Sequence, residues 1–187
     1  MIDPADVAVL LLAAGRSERF GSDKLLAPLE GLPVAIHAAR RLAEIRTGWR
    51  IAVCREASPL SRNLVELGFD VIVNLDPARG LSSSLALGIE RAETVGAKAA
   101  LVALGDMPFV SLGHFAALLA AFDPVTAAIV ASDKTGVAMP PALFARAFFG
   151  ELRMGGGDQG ARALIRGAAL VAAAPNELAD IDRPEDI

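Results

Sequence analysis

Short apolar runs alternate with amphipathic stretches along the chain, and this alternation constrains the fold more than any other feature. Val7 to Ala13 is an uninterrupted apolar run, which is typical of a strand covered on both faces. Strand-like runs separated by helical stretches of about 10–15 residues predict βαβ units and a mainly parallel sheet. The right-handed crossovers of such units place helices on both faces. We therefore predict an α/β fold, with residues 1–187 forming a single domain.

Glycine, proline and serine mark the ends of the predicted elements. Ser111, for example, is placed to cap the helix that follows it. Ligands of parallel sheets bind outside the carboxyl ends of the strands, so the loops after Ala13, Val73 and Leu104 are the candidate functional loops. We predict further strands at 50–54, 70–73, 99–104, 126–131 and 170–173, and helices at 33–42, 59–67, 82–95, 111–122, 141–149 and 158–166.

Composition excludes several classes of protein. The chain has 187 residues and a net charge of -4. Proteins dedicated to nucleic-acid binding need a basic face, so we expect no nucleic-acid partner. A single cysteine, Cys54, excludes a disulfide framework or a cysteine-based zinc site and suits a reducing cytoplasm. Asp3 and Asp6 precede the first apolar run where a signal peptide carries basic residues. We expect a cytoplasmic protein without a membrane partner.

The loop after the first strand is glycine-containing and cationic. Gly15 and Gly21 would let backbone N–H groups approach a ligand, and Arg16, Arg19 and Lys24 suit a triphosphate. Neither a Walker A loop nor a Rossmann glycine motif is present. The alternative is an ordinary solvated loop, but nothing would then require so long a cationic loop directly after the most buried strand.

The string LAAGRSERFGSDK at residues 12–24 resembles the signature of MobA-like nucleotidyltransferases, L-x-[AG]-G-x-S-x-R-[MF]-G-x-x-K. The resemblance runs from Val7 to Ile187. It implies a single Rossmann-like three-layer domain, similar to nucleotide-diphospho-sugar transferases, whose mostly parallel sheet has one antiparallel strand. It implies transfer of a nucleoside monophosphate from an NTP to a phosphorylated acceptor. The nucleotide-binding residues implied in this loop are Leu12, Ala13, Ala14, Gly15, Arg16, Ser17, Arg19 and Lys24.

Residues 13–15 bear on the choice of nucleotide. The cytidylyltransferase branch of the family usually carries Ala-Ala-Gly here, as this chain does, whereas the guanylyltransferase branch usually carries Ala-Gly-Gly or Gly-Gly. The chain therefore resembles a molybdenum cofactor cytidylyltransferase, and CTP is the expected nucleotide.

A serine-rich segment lies between a predicted strand and a predicted helix. Its small residues and the helix N-terminus offer hydroxyl and N–H groups to a polar ligand, although serines also cap helices commonly. The segment Gly80-Leu-Ser-Ser-Ser-Leu85 resembles the G-x-S-S-S-L stretch that lies beside base and ribose in the cytidylyl branch. The implied nucleotide-binding residues are Asn74, Gly80, Ser82, Ser83 and Ser84.

Two acidic segments are candidates for a metal site. Asp106 follows a buried strand, where a carboxylate can hold Mg²⁺ against phosphates, although an Asp-x-Pro turn is also a common structural feature. The segment Gly-Asp-Met-Pro resembles the family's metal-binding motif, which implies Asp106 as metal ligand and nucleotide contact. The ending DIDRPEDI resembles the family's [DN]-I-[DN]-T-P-E-D-L, which implies Asp182 first and Asp180 second as opposing ligands. Mg²⁺ is the expected cofactor, and Arg19, Lys24 and Asp106 are the expected catalytic residues.

Residues 157–164 resemble the family's G-D-x-G-A-R-x-L segment, which closes the acceptor side. This implies that Asp158, Gly160 and Arg162 bind the acceptor. Capping of the next helix by Asp158 and an ion pair of Arg162 are the structural alternatives. Met139 and Pro140 stand where the family often has His and Pro, a departure that concerns the acceptor rather than nucleotidyl transfer.

The expected reaction moves CMP from CTP to the terminal phosphate of molybdopterin or the molybdenum cofactor and releases pyrophosphate. A molybdoenzyme or its chaperone is an expected partner. Two alternatives stay open: guanylyl or other nucleotidyl transfer to molybdopterin or a sugar phosphate, and a non-catalytic nucleotide-binding maturation factor for a molybdoenzyme. His37, His114 and Cys54 have no metal-ligand or nucleophile spacing and are expected to be structural.

Overall fold

A seven-stranded sheet lies at the centre of the computed structural model, which describes residues 2–15, 20, 23–55, 59–154 and 159–187. Its strand order is β5-β4-β1-β6-β8-β7-β9. The pairs β1–β4, β1–β6, β4–β5 and β7–β9 are parallel, whereas β8 runs antiparallel to both β6 and β7. The predicted mostly parallel sheet with one antiparallel strand is confirmed. The strands are β1 (Val7–Ala13), β4 (Trp49–Cys54), β5 (Asp70–Val73), β6 (Ala99–Leu104), β7 (Ile129–Lys134), β8 (Val137–Ala145) and β9 (Ala169–Ala172), with a separate hairpin of β2 (Pro28–Leu29) and β3 (Leu32–Pro33).

Helices cover both faces of this sheet. Alternate residues of the fully buried β1 point to opposite faces, so Val9 and Leu11 belong to one core and Leu10 and Leu12 to the other. The first core contains residues of α1, α2 and α4, and the second contains residues of α3, α5 and α6. The predicted three-layer architecture is confirmed. The helices are α1 (Val34–Glu44), α2 (Pro59–Glu66), α3 (Leu81–Thr94), α4 (Leu112–Ala121), α5 (Phe149–Met154) and α6 (Gln159–Ile165).

The helix predicted at 141–149 is wrong, because these residues belong largely to β8 and the short 3-10 helix Arg146–Phe148. Thr135 and Gly136, both with positive φ, form the two-residue turn that joins β7 to β8 as a hairpin. The region contains two consecutive prolines, Pro140 and Pro141. In the structure they lie at the register shift between the β7–β8 pairs, where the ladder requires no donor from them.

Most other predicted elements differ from the observed ones by one to three residues at their ends. The Ser111 hydroxyl accepts a hydrogen bond from the His114 N–H, which confirms the predicted helix cap. Within the described residues, no helix is both long and apolar enough to cross a membrane.

The chain returns to the carboxyl edge of the sheet in its C-terminal segment. β1 ends beside β4 and β6, with Ala13 opposite Cys54 and Leu12 opposite Leu104. After β9, the N–H of Ile181 donates to the Asp106 carbonyl over 2.8 Å. The buried Ile181 side chain packs against Leu29 and Val34. These contacts bring residues close to the C-terminus onto the loop that follows β6.

Candidate active site

Lys24 joins two carboxylates that come from distant parts of the chain. It opens a 3-10 helix, Lys24–Leu26, whose first turn is capped by the Asp23 side chain. Its Nζ lies 2.8 Å from Oδ2 of Asp106 and 2.9 Å from Oδ1 of Asp182. Lys24 is buried, with only 8% of its surface exposed. The structure therefore brings together three predicted site residues, Lys24, Asp106 and Asp182, which we call the charged cluster.

Three backbone contacts hold the loop that carries Asp106. The Gly105 N–H donates to the Leu12 carbonyl over 3.0 Å and so extends the pairing of β1 with β6. The Asp106 carbonyl accepts the hydrogen bond of Ile181, and the Arg41 guanidinium donates to the Pro108 carbonyl from α1. Asp106 is thus fixed on both sides.

One carboxylate oxygen of Asp106 has no partner within the described part of the chain. Its Oδ1 is buried and makes no hydrogen bond with any described residue, whereas its Oδ2 contacts Lys24. A buried carboxylate oxygen without a partner carries a desolvation cost. This atom is therefore a natural ligand for a cation or a hydrogen-bond donor that a substrate would bring.

Asp182 is held by a local backbone arrangement. The Asp186 carboxylate accepts hydrogen bonds from the N–H groups of Asp182 and Arg183, over 2.9 and 2.7 Å. The carboxylate of Asp182 forms an ion pair with Lys24. Asp180 lies on the other side of the buried Ile181 in the sequence; its side chain is exposed and makes no ion pair with Lys24. Of the two predicted C-terminal ligands, the structure brings Asp182 to the charged cluster.

The three side chains of the charged cluster, taken by themselves among the described residues, carry a net negative charge, because two carboxylates face one ammonium. Burial lowers the pKa of Lys24, but Asp106 and then Asp182 outweigh burial and raise the pKa above its ordinary value. Lys24 therefore stays charged at neutral pH.

Carboxylate oxygens are the donors that Mg²⁺ prefers in proteins, and Mg²⁺ in nucleotide sites is commonly held by one or two carboxylates together with substrate phosphates. The described residues contain no group of three or more His, Cys, Asp or Glu side chains placed to hold a metal. The pair Asp106 and Asp182, with the unpartnered oxygen, fits a divalent cation whose remaining ligands come from a bound nucleotide.

A second polar group lies in the loop between β5 and α3. The buried amide of Asn74 donates to the hydroxyls of Ser83 and Ser84, both over 2.9 Å, and its Oδ1 accepts from the Asp76 N–H over 2.9 Å. The Ser83 hydroxyl in turn donates to the Gly80 carbonyl over 2.9 Å. Asn74, Ser83 and Ser84, which we call the amide-hydroxyl cluster, thus use their side chains to fix the loop on α3.

Two cavities lie side by side at this edge of the sheet. The first, of about 280 Å³, is bounded by Ala14 and Gly15 on one side and by Gly80 and Ser84 on the other. The second, of about 140 Å³, is largely apolar and lies between β6, β8, α3 and α6. Leu81 forms part of both walls. Further predicted site residues line the second cavity, namely Leu12, Ser82 and Arg162.

For the other predicted site residues, the structure gives only burial or secondary structure, or does not describe the residue. Ala13 is buried at the end of β1, and Gly160 belongs to α6. The predicted residues Arg16, Ser17, Arg19 and Asp158 lie outside the described residues.

Most of the chain matches the model of a known protein family. Residues 9–175 match the model of the MobA-like NTP transferase domain. The chain belongs to the MobA-like NTP transferase family. The predicted family is thereby confirmed, and the chain is a nucleotidyltransferase of the MobA-like type.

Two relatives that are similar in sequence to this chain carry different functional names. The purine catabolism protein PucB of Bacillus subtilis (strain 168) is 30% identical over 191 residues, covering 95% of this chain and 92% of PucB. A molybdenum cofactor guanylyltransferase of Burkholderia orbicola (strain MC0-3) is 37% identical over 147 residues, covering 74% of this chain and 69% of that protein. These names leave the choice between cytidylyl and guanylyl transfer unsettled.

The fold of this MobA-like enzyme is similar to that of Rv0371c from Mycobacterium tuberculosis H37Rv. The two chains superpose with a TM-score of 0.80 at 25% identity, over 98% of this chain and 96% of that one. A structure of Rv0371c in complex with manganese superposes with a TM-score of 0.70 at 25% identity, over 89% and 88% of the two chains.

An ion pair beside the charged cluster was not predicted from the sequence. Arg55, directly after β4, donates to Oδ2 of Asp23 over 2.7 Å, while Oδ1 of Asp23 accepts from the Leu25 N–H over 3.2 Å. Asp23 therefore ties the turn that carries Lys24 to the end of β4. Two signals could have found this pair: an Asp in capping position before Lys24, and a cation at the carboxyl end of a predicted strand.

The two histidines have hydrogen-bond partners, and Cys54 is buried. Nε2 of His37 lies 2.8 Å from the Leu29 carbonyl, and Nε2 of the buried His114 lies 2.8 Å from the Ser132 hydroxyl. Burial and, to a lesser extent, the nearby Asp23 raise the pKa of the Cys54 thiol to about 11. Cys54 is therefore neutral and is not an activated nucleophile.

Proposed function

We propose that this MobA-like nucleotidyltransferase transfers CMP from CTP to the terminal phosphate of molybdopterin or of the molybdenum cofactor, with Mg²⁺ as cofactor and pyrophosphate as the second product. The observation that carries the proposal is the charged cluster, where Lys24 lies within 2.9 Å of both Asp106 and Asp182. The cluster lies at the carboxyl edge of the sheet, where α/β proteins bind nucleotides.

The metal part of the proposal rests on the donor set. Asp106 and Asp182 are the expected ligands, and the unpartnered Oδ1 of Asp106 is suited to a cation. The manganese complex of Rv0371c supports a divalent cation in a protein of this fold. When bound, the cation would neutralise charge on the phosphate oxygens during transfer.

The protein's own part in the reaction is positioning and charge neutralisation. An oxygen of the acceptor phosphate attacks the α-phosphorus in line, a phosphoanhydride bond forms, and the bond to pyrophosphate breaks. The acceptor phosphate is already ionised at neutral pH, so the attack requires no general base. Lys24 and Arg19, with the amides of the loop, would hold the β- and γ-phosphates and stabilise the leaving pyrophosphate.

The preference for CTP rests on Ala14. This residue lines the cavity that Gly15, Gly80 and Ser84 also border. Where the guanylyl branch usually has glycine, the methyl group of Ala14 narrows the space, which favours a pyrimidine over a purine. GTP is the second candidate, because several relatives, including the protein from Burkholderia orbicola, are named guanylyltransferases.

Two observations support the proposed acceptor. First, several relatives are named molybdenum cofactor guanylyltransferases, a name that gives the molybdenum cofactor as their acceptor. Second, Arg162, which is predicted to bind the acceptor, lines the cavity beyond Leu81. A sugar phosphate is the alternative acceptor. A non-catalytic maturation factor is disfavoured, because it would have no need for Lys24, Asp106 and Asp182 together. A molybdoenzyme or its chaperone is the proposed recipient of the product.

The test is pyrophosphate release by the wild-type protein with Mg²⁺ and molybdenum cofactor, with CTP, GTP, UTP and ATP assayed in parallel. Release with CTP well above release with GTP supports the proposal, and the reverse order supports the guanylyl alternative. Ala14→Gly is the matched variant, and we expect it to shift the CTP-to-GTP ratio of kcat/KM toward GTP by up to about tenfold. Tight nucleotide binding without release would favour the maturation factor.

A further inference from the structure

The charged cluster contains a conflict between its present contacts and the proposed metal. Nζ of Lys24 lies 2.8 Å from Asp106 Oδ2 and 2.9 Å from Asp182 Oδ1. A Mg²⁺ ion binds its oxygens at about 2.0–2.1 Å and needs near-ideal octahedral space around it. The ammonium and a divalent cation that bridges the same two carboxylates cannot share that position.

Burial makes this competition strong. Lys24 is 8% exposed, and its ammonium contacts both carboxylates at the edge of the core. Removing one member of a partly buried ion group weakens the compensation of the remaining charges, so loss of the ammonium without a substitute is unfavourable. A divalent cation that replaced it would also have to relocate the ammonium to a site of comparable charge.

The triphosphate provides such a site. Lys24 has a flexible four-carbon stem, and the turn that carries it follows the predicted phosphate loop. The backbone of this turn is held separately, by the Asp23 cap and the ion pair of Asp23 with Arg55. The side chain can therefore turn from the carboxylates to phosphate oxygens while its backbone stays in place.

We propose that Lys24 is a place-holder for the metal: in the nucleotide-free protein its ammonium occupies the position between Asp106 and Asp182, and the triphosphate draws it away. It follows that the free protein binds free divalent cations weakly, and that the cation enters together with the nucleotide. The inference rests on the proposed function in so far as it takes the metal and a triphosphate as ligands of this site.

A metal-binding measurement on the nucleotide-free full chain tests this proposal without reference to activity. Mn²⁺ is titrated into wild type, Lys24→Met and Lys24→Gln, and free Mn²⁺ is followed by electron paramagnetic resonance. The control is Lys134→Met, because exposed Lys134 contacts the Leu178 carbonyl of the same C-terminal segment without joining the cluster. The double variant Lys24→Met/Asp106→Asn shows whether any gained site uses Asp106.

We expect both Lys24 variants to bind Mn²⁺ at least about tenfold more tightly than wild type, because they lack the competing ammonium. Lys134→Met should stay within about twofold of wild type, since a distant exposed charge is largely screened. The double variant should lose the gain. In thermal unfolding, Mn²⁺ should raise the Tm of Lys24→Met clearly more than that of wild type.

Equal Mn²⁺ affinity of wild type and both Lys24 variants would overturn the proposal. An equal gain in Lys134→Met would overturn it as well, since the effect would then be one of net charge. Pyrophosphate release by the same wild-type preparation separates this outcome from failure of the proposed function. Release without the Mn²⁺ gain rejects the place-holder alone, and the Mn²⁺ gain without release rejects the reaction alone.

Discussion

Two polar clusters lie at the same edge of the sheet and differ in how completely their atoms are satisfied. In the amide-hydroxyl cluster, the donors and the acceptor of Asn74 all have partners within the loop and α3. In the charged cluster, two carboxylates share Lys24, and one buried oxygen of Asp106 has no partner among the described residues.

This difference suggests that one cluster stabilises the fold and that the other takes part in the chemistry. A polar network whose groups are already paired holds a loop in place without a ligand. A cluster in which a buried carboxylate oxygen has no partner among the described residues gains from a cation and from phosphates that bring one. We therefore propose that Lys24, Asp106 and Asp182 carry the chemistry. Asn74, Ser83 and Ser84 would shape the cavity proposed for the nucleotide.

The largest effect is expected from the charged cluster itself. Asp106→Asn and Lys24→Ala should each lower kcat for pyrophosphate release by about 10²–10³-fold, because each removes charge at the transferred phosphate. Circular dichroism should show that both variants stay folded. Near-normal kcat in both variants would remove the charged cluster from the mechanism.

The two C-terminal aspartates provide a matched pair within one segment. Asp182→Asn should lower kcat/KM by about tenfold or more, because it removes a carboxylate beside Asp106. Exposed Asp180→Asn should change kcat/KM by less than about twofold, as expected of a surface position away from the cluster. Steady-state kinetics of both variants checks the contrast, and the reverse order would assign the metal to Asp180.

The amide-hydroxyl cluster should respond in stability rather than in turnover. Asn74→Ala removes the hydrogen bonds to the buried Ser84 hydroxyl, to the half-buried Ser83 hydroxyl and to the Asp76 N–H, and should lower the free energy of unfolding by about 2 kcal/mol. At saturating nucleotide, kcat should stay within a few-fold of wild type. Urea unfolding measures the first quantity. A loss of kcat as large as that of Asp106→Asn, at unchanged stability, would place Asn74 among the chemical groups.

The buried His114, which contacts the Ser132 hydroxyl, should make the stability of the protein depend on pH. Burial lowers the pKa of His114, and the opposing effect of Glu177 does not restore it. Below about pH 6.5, the ordinary value, the unfolded chain takes up a proton that the folded protein does not. Stability should therefore fall as the pH is lowered through this region, with little loss above it.

His114→Gln provides the control for this pH dependence. It removes the titrating ring but keeps a donor that can reach Ser132, so the decline near pH 6.5 should become smaller. Hydrogen bonds to Glu177, from the backbone and side chain of Ser111 and from the Ala174 N–H, lower the pKa of that carboxyl despite its burial, so Glu177 titrates below this window. Thermal unfolding from pH 5 to 8 measures the difference, and identical profiles would show that another group is responsible.

Much of the fold could be predicted because its cause is local. Buried parallel strands require apolar runs, and serine or glycine at helix ends follows from capping chemistry, as at Ser111. β8 was mistaken for a helix because Pro141 followed by Ala, Leu and Phe is also typical of a helix start. Its strand conformation depends on pairing with β6 and β7, which a local pattern does not reveal.

The site could be predicted in part. Position at the carboxyl ends of strands indicated Asp106, and the family resemblance indicated Lys24 and Asp182. The sequence did not reveal that Lys24 pairs with both carboxylates, because this contact spans 158 positions between Lys24 and Asp182. The partner of Asp23 was missed for the same reason, since Arg55 is brought to it only by the adjacency of β1 and β4.

The most direct test of the account is to identify the product made from CTP and molybdenum cofactor by wild type and by Asp106→Asn. Mass spectrometry should show CMP joined to the acceptor phosphate and one pyrophosphate released for each product molecule, and Asp106→Asn should form little of either. Equal product from Asp106→Asn, or pyrophosphate formed without an acceptor adduct, would contradict the assignment of the charged cluster to nucleotidyl transfer.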